Sequence, residues 1–338
     1  MNRYLTIHIP ETASPAPVSH FLRTQAGLTK KQISQAKFRP GGVQKNGQQC
    51  RVTETAYPRD QITVCLETNN VDSAQLESAP APQFLPELAI LYEDQDILAV
   101  NKPAGIVTHP SGSHYSDSLS NQVAAYFRSK GEPTKVRSIG RLDKETSGIL
   151  LFARNQTAAA RLQKQRENGI SEKTYLAAVS GSMPEDTDGA FHRITTPLAP
   201  DPDNRLKMVT SPDGSLPGSK PAETLYSVLK STAPGSIISA SFVMLRLKTG
   251  RTHQIRVHMA SLRHPLLGDS LYHLSDTTNL FSRAALHAWK LKFQPPFPNG
   301  ETTSSPLSSM PCTKNAKKEI SLEAPLPEDF KKFYETIF

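Results

Sequence analysis

Cysteine is scarce in this chain: its 338 residues hold only Cys50, Cys65 and Cys312, scattered and without a CxxC pair. An odd, dispersed set supplies neither a disulfide framework nor a zinc knuckle, and it suits a reducing compartment. Long apolar runs are missing too. No stretch approaches the roughly 20 apolar residues that a membrane-spanning helix needs, and the opening MNRYLTIHIPETASP has no apolar core of signal-peptide length. These absences predict a soluble, cytoplasmic protein with no membrane partner. Three chemistries lose support in the same way. No GxxxxGK phosphate loop occurs, no GxGxxG follows a strand, and no HxE stands with a CxxC, which argues against nucleotide hydrolysis, hydride transfer and zinc-dependent base deamination. No internal repeat of useful period is found.

Acidic residues are the minority charge. Lys and Arg number 39 against 31 Asp and Glu, a net charge of +8 and a pI near 9.3, which favours a polyanionic partner. The excess is uneven: residues 1–68 carry nine Lys and Arg against four Asp and Glu, a balance of +5 that leaves +3 for the other 270 residues. The length suits two units, one of them small. Within the basic one, LTKKQISQAKF opens on Thr29 with Gln32 three residues later, a capping-box pattern for a short helix exposing Lys30, Lys31 and Lys37. Asn46-Gly47, just after Lys45, is a strong hairpin signal, and DQITVCLET alternates like a half-buried strand. Residues 69–85 are rich in Pro, Ser and Ala and form a linker. From residue 86 to 338, apolar runs bounded by Gly and Pro alternate with helical stretches such as QTAAARLQKQRENG, so this unit mixes sheet and helix in an α+β fold. The Pro/Ser/Thr segment PPFPNGETTSSPLSSMPCTKNAKK bulges from its surface.

The histidines of RTHQIRVHMASLRH invite a metal reading. His253 and His258, however, are five apart, which on a helix turns them from one another, whereas Ile255, Met259 and Leu262 share a face. No metal site is expected. Three separated segments remain, polar where a strand or turn should end: SIGRLDKETSGILLFARN, EKTYLAAVSG and LKTGRTHQIRVHMASLRHPLLGDSLY. Taken singly, each has a plain structural reading. Asp143 could cap a helix or turn, Tyr175 could be a half-buried strand aromatic, and Arg251 could solvate the turn after Gly250. A strand ending in TG and leading into a helix nevertheless puts polar residues at an element end, where sites are built.

In this order, and with LYEDQDILAVNKPAGIVTHP before them and ALHAWKLKF after, the three segments resemble the motifs of the RluA family of RNA pseudouridine synthases over residues 86–338. The first unit resembles the alpha-L RNA-binding module of a small-subunit ribosomal protein through LTKKQISQAKFRPGGVQKNGQ. The resemblance implies a mixed, largely antiparallel sheet with a central cleft. It implies an isomerase that needs neither cofactor nor metal and acts as a monomer on RNA, with ribosomal RNA of the large subunit favoured and transfer RNA as the other target. The reaction breaks the bond from ribose carbon 1′ to uracil nitrogen 1, turns the base over and rejoins it through carbon 5. By resemblance Asp143 is the essential aspartate, whether it attacks the sugar, attacks the base or assists glycal formation. Arg251 pairs with it, and Tyr175 contacts the uracil and accepts the carbon 5 proton. Arg141 handles the flipped nucleotide. Lys30, Lys31, Lys37 and Lys45 of the first unit, and Lys102 of NKPAG, contact RNA. Gly140 departs from the family, which more often has histidine there. Two rivals remain: an RNA-binding or ribosome-assembly protein of the same fold without activity, and a hydrolytic N-glycosidase, which would release free uracil.

Overall fold

The computed structural model describes residues 3–66, 87–297 apart from 112, 113, 115, 133, 134 and 234, and 319–338. The expected linker and most of the Pro/Ser/Thr segment lie outside the described residues. The first unit comprises β1 (Arg3–His8), β2 (Ala16–Pro17), α1 (Val18–Thr24), α2 (Lys30–Lys37), β3 (Val43–Lys45), β4 (Gln48–Gln49), β5 (Thr55–Ala56) and β6 (Gln61–Leu66). Its antiparallel sheet runs β1-β6-β3-β4, with β2 paired separately to β5. The local signals explain these elements. Thr29 Oγ1 accepts from the Gln32 N–H (3.2 Å) while Gln32 Oε1 accepts from the Thr29 N–H (2.9 Å), so two otherwise orphaned donors at the start of α2 are satisfied. Asn46 and Gly47 both have positive φ, 53° and 81°, as a two-residue type I′ hairpin turn requires. In β6 the alternation buries Ile62 and Val64 against Leu5, Leu22 and Ile33.

The second unit comprises β7 (Ile90–Glu93), β8 (Ile97–Lys102), α3 (Leu119–Ser129), β9 (Arg137–Ile139), β10 (Ser147–Ala153), α4 (Gln156–Glu167), β11 (Glu172–Ser180), β12 (His192–Ile194), β13 (Leu198–Pro200), β14 (Met208–Thr210), β15 (Thr224–Ser231), β16 (Ala240–Leu247), α5 (Gln254–Ser261), β17 (Leu286–Phe293), β18 (Ile320–Glu323) and α6 (Glu328–Ile337). Its main sheet runs β12-β15-β16-β11-β17-β10-β8-β7, with β18 added to β17 and β9 to β10. Among the described residues only β10 and β17 pair in parallel, so the sheet is mixed and largely antiparallel, and the whole is α+β. Gly148 makes that one parallel pairing possible: its φ is +110°, and a Cβ there would stand 2.2 Å from the Ala288 carbonyl oxygen.

One face of this sheet packs Leu98, Val100 and Val243 against Phe127 of α3 and Ile255 and Met259 of α5. The other holds Ile149, Leu151 and Leu291 under Ala158 and Leu162 of α4. Leu262, expected on the buried face of α5, falls one residue past the helix end and is 36% exposed. The small unit rests on α4. Gln32 Nε2 donates to Thr157 Oγ1 (3.1 Å), Arg161 Nε donates to the Ala26 carbonyl (3.0 Å), and the Arg161 guanidinium covers the Phe297 ring.

Candidate active site

Loop 140–146, between β9 and β10, carries Asp143 half-buried at the edge of a cleft of about 540 Å³. Its backbone is pinned on both sides. Thr108 Oγ1 donates to the Leu142 carbonyl (2.8 Å) and accepts from the Leu142 N–H (3.2 Å). The Lys144 carbonyl accepts from the Gly105 N–H (2.8 Å) and from Lys102 Nζ (3.1 Å). The NKPAG turn therefore works as a clamp on the aspartate loop. This corrects the expectation that Lys102 touches RNA. The side chain is fully buried, and its three donors go to the carbonyls of Pro103, Ile106 and Lys144. Burial pushes its pKa down to about 7, against the opposing pull of the Asp143 carboxylate. Ser147, at the start of β10, shares a hydrogen bond with buried His287 (Oγ to Nδ1, 2.9 Å).

Tyr175 sits on β11 where the register with β17 shifts between Thr174 and Tyr175. A bulge of this kind re-aims a side chain, and the ring enters the cleft wall with 7% exposure. Burial first, and the charge of Asp143 second, raise the pKa of its hydroxyl, while Arg166 opposes the shift. A neutral phenol results.

Arg251 lines the same cleft, but the ion pair expected between it and Asp143 is not formed: its Nε donates to the Pro221 carbonyl at 3.0 Å. The arginine in the field of Asp143 is Arg256, five residues on. It is 3% exposed, and its Nε and Nη2 hold both oxygens of fully buried Asp269 at 2.7 and 2.6 Å, with Glu145 at 3.8 Å. Burial alone would lower its pKa, but the hydrogen bonds and charge of Asp269, then Asp143 and Glu145, outweigh that and raise it. Arg256 therefore stays charged behind the aspartate loop. The sequence held a signal for this residue: IRVHM places an arginine inside an apolar helical run, and every residue from Gln254 to Met259 is buried.

Arg141 is exposed and bridges loop 140–146 to loop 248–253, between β16 and α5, its Nη2 donating to Thr252 Oγ1 at 2.7 Å. His253 starts α5 in a left-handed conformation (φ 52°) beside the Tyr272 hydroxyl, and buried His258 bonds Thr224 and the Thr196 carbonyl. Lys30, Lys31 and Lys37 project exposed from α2, outside the cleft; Lys45 is half-buried, donating to the Thr55 carbonyl beside Glu54. In all, the cleft is lined by seven Arg and Lys against three Asp and Glu, with one half-buried carboxylate facing a buried phenol.

Such a basic cleft suits a polyanion, and the comparisons point to RNA. Residues 96–261 match the family model described as RNA pseudouridylate synthase. The RNA pseudouridine synthase YhcT of Bacillus subtilis (strain 168), itself uncharacterised, is 37% identical over 266 residues, 78% of each chain. YjbO of the same strain is 32% identical across 91% of this chain and 95% of its own. Ribosomal large subunit pseudouridine synthase D of Neisseria meningitidis serogroup A is 36% identical over 73% of this chain and 61% of that one. Among solved structures, human RNA pseudouridylate synthase domain containing 1 superposes with a TM-score of 0.52 at 25% identity, over 76% of this chain and 96% of that one. The chain belongs to the RluA-type RNA pseudouridine synthases and is an isomerase whose substrate is RNA. Among the described residues no helix is long and apolar enough to cross a membrane.

Proposed function

We propose that the protein isomerises specific uridines of large-subunit ribosomal RNA, with Asp143 as the essential carboxylate. The observation that carries the assignment is the half-buried Asp143 held rigidly between the two pinned peptide groups, in the field of the locked Arg256 and beside Tyr175. Fixed positive charge there orients the carboxylate, which both nucleophilic attack and assisted glycal formation need. Arg251, occupied at Pro221, then belongs to the RNA-contacting wall. Tyr175 stacks against the uracil. Its neutral hydroxyl relays the carbon 5 proton: the oxygen accepts it as its own proton passes to Asp143, so no phenolate is required. Residues 1–68 act as an RNA-binding module, 69–85 as the linker and 86–338 as the catalytic domain of a cytoplasmic monomer. The ribosomal target is supported by the similarity to large-subunit synthases.

The test is tritium release from RNA labelled at uridine carbon 5, since isomerisation leaves mass unchanged. Asp143→Asn should fold and bind RNA as the wild type does and release no tritium; turnover near wild type in that variant would overturn the assignment. Mapping pseudouridines in cells with and without the gene then identifies the RNA. Sites lost only from transfer RNA would replace the ribosomal target.

A further inference from the structure

Arg166, in the last turn of α4, belongs to none of the cleft's motifs, yet its guanidinium reaches between the two loops that frame Asp143. A Cβ on Gly140 would stand 3.5 Å from its Nε, and one on Gly250 would stand 2.5 Å from its Nη2. The first distance is ordinary contact, and the second could be occupied only if the guanidinium moved. Two positions without side chains, one on each loop, thus make the slot that Arg166 fills.

Among the described residues the Arg166 guanidinium has no hydrogen-bond or ion-pair partner. The acids nearby are engaged: Glu167 accepts from Gln163 Nε2 (2.9 Å), and Glu172 lies 3.5 Å from Arg246 Nε. A second cation adjoins it. Lys173 donates to the Ile149 carbonyl (2.9 Å), and the charge of Arg166 adds to burial in lowering the Lys173 pKa to about 8. Cations that outnumber the acids of a cleft and form no ion pair with them favour an arriving anion, and a planar guanidinium with open donors matches a phosphate through two parallel hydrogen bonds.

We propose that Arg166 binds a backbone phosphate of the RNA strand flanking the target uridine, in the slot left by Gly140 and Gly250. This rests on the isomerase reading, so the experiment uses the full chain and an RNA on which the wild type already releases tritium; absence of that release would count against the function and not against Arg166. Arg166→Ala should weaken Kd on the order of tenfold, with the loss falling on KM rather than kcat. It should also make the slope of log K against log salt shallower by about 0.7 to 0.9, the value for one phosphate. Arg166→Lys should keep the slope and recover part of the affinity, because charge survives and the fork does not. Gly250→Ala should weaken binding in the wild type and add nothing in Arg166→Ala, since its Cβ acts by displacing the guanidinium. An unchanged Kd and salt slope in Arg166→Ala would overturn the inference. So would a loss in kcat alone with a shifted alkaline limb, which would make Arg166 an electrostatic partner of Tyr175 instead.

Discussion

On the small unit, Lys30, Lys31 and Lys37 stand exposed on a helix that carries no acid. In the catalytic unit Arg256 is locked onto Asp269, Lys102 onto three carbonyls and Arg141 onto Thr252. The residue types are the same and the physics differs. Exposed lysines contribute a diffuse field that salt screens and that any RNA backbone can meet. A guanidinium bound at two points inside the protein has a direction, is barely screened, and acts on one atom. The net charge divides accordingly: most of it belongs to the first fifth of the chain, while the cations nearest Asp143 are held in place, Arg256 by a carboxylate and Lys102 and Arg141 by neutral oxygens.

The sharpest break of this comparison is Arg256. Arg256→Ala leaves the fully buried Asp269 carboxylate unpaired and should cost about 3–5 kcal/mol in urea unfolding, with turnover lost. The double variant Arg256→Met with Asp269→Leu should recover folding without recovering tritium release. If it recovered both, Arg256 would be structural only.

His287, fully buried beside Ser147, should make the catalytic unit acid-sensitive. Burial lowers its pKa to about 4 from 6.5, so between those values the unfolded chain binds the extra proton. Its contribution to stability is intact above pH 6.5 and is lost as pH falls toward 4, by about 3 kcal/mol. Urea midpoints followed from pH 7 to 4 should drop more steeply in the wild type than in His287→Gln; parallel profiles would remove the assignment.

The smallest structural effect is expected on α2. Replacing Lys30, Lys31 and Lys37 with Gln should change stability by less than about 0.5 kcal/mol. The same replacement should make the salt dependence of RNA binding shallower by about 0.7 to 0.9 for each phosphate these lysines neutralise. An unchanged slope would mean that this helix faces something other than RNA.

Local features of the chain were legible before any fold was known. The Thr29–Gln32 box, the Asn46-Gly47 turn and the alternation of β6 each depend on interactions within a few residues, which propensity and hydrogen-bond chemistry determine by themselves. The segments around Asp143 and Tyr175 stood out through their resemblance to family motifs, since singly each also reads as an ordinary turn or strand residue. Arg251 and Arg256 lie five residues apart in one motif, and the resemblance pointed to Arg251 as the partner of Asp143. Tertiary structure sets the two apart: the left-handed turn at His253 sets the phase of α5, Pro221 captures Arg251 across 30 residues, and Asp269 meets Arg256 from the following loop. Lys102 was decided in the same way, since the carbonyl of Lys144, 42 residues away, supplies one of its three acceptors. The slot for Arg166 exists only once α4 and both glycine-bearing loops are assembled. A buried charge is fixed by the partners that compensate it, and here those partners arrive from distant strands and loops, so the sequence determined which groups could do the chemistry and the packing decided which of them face it.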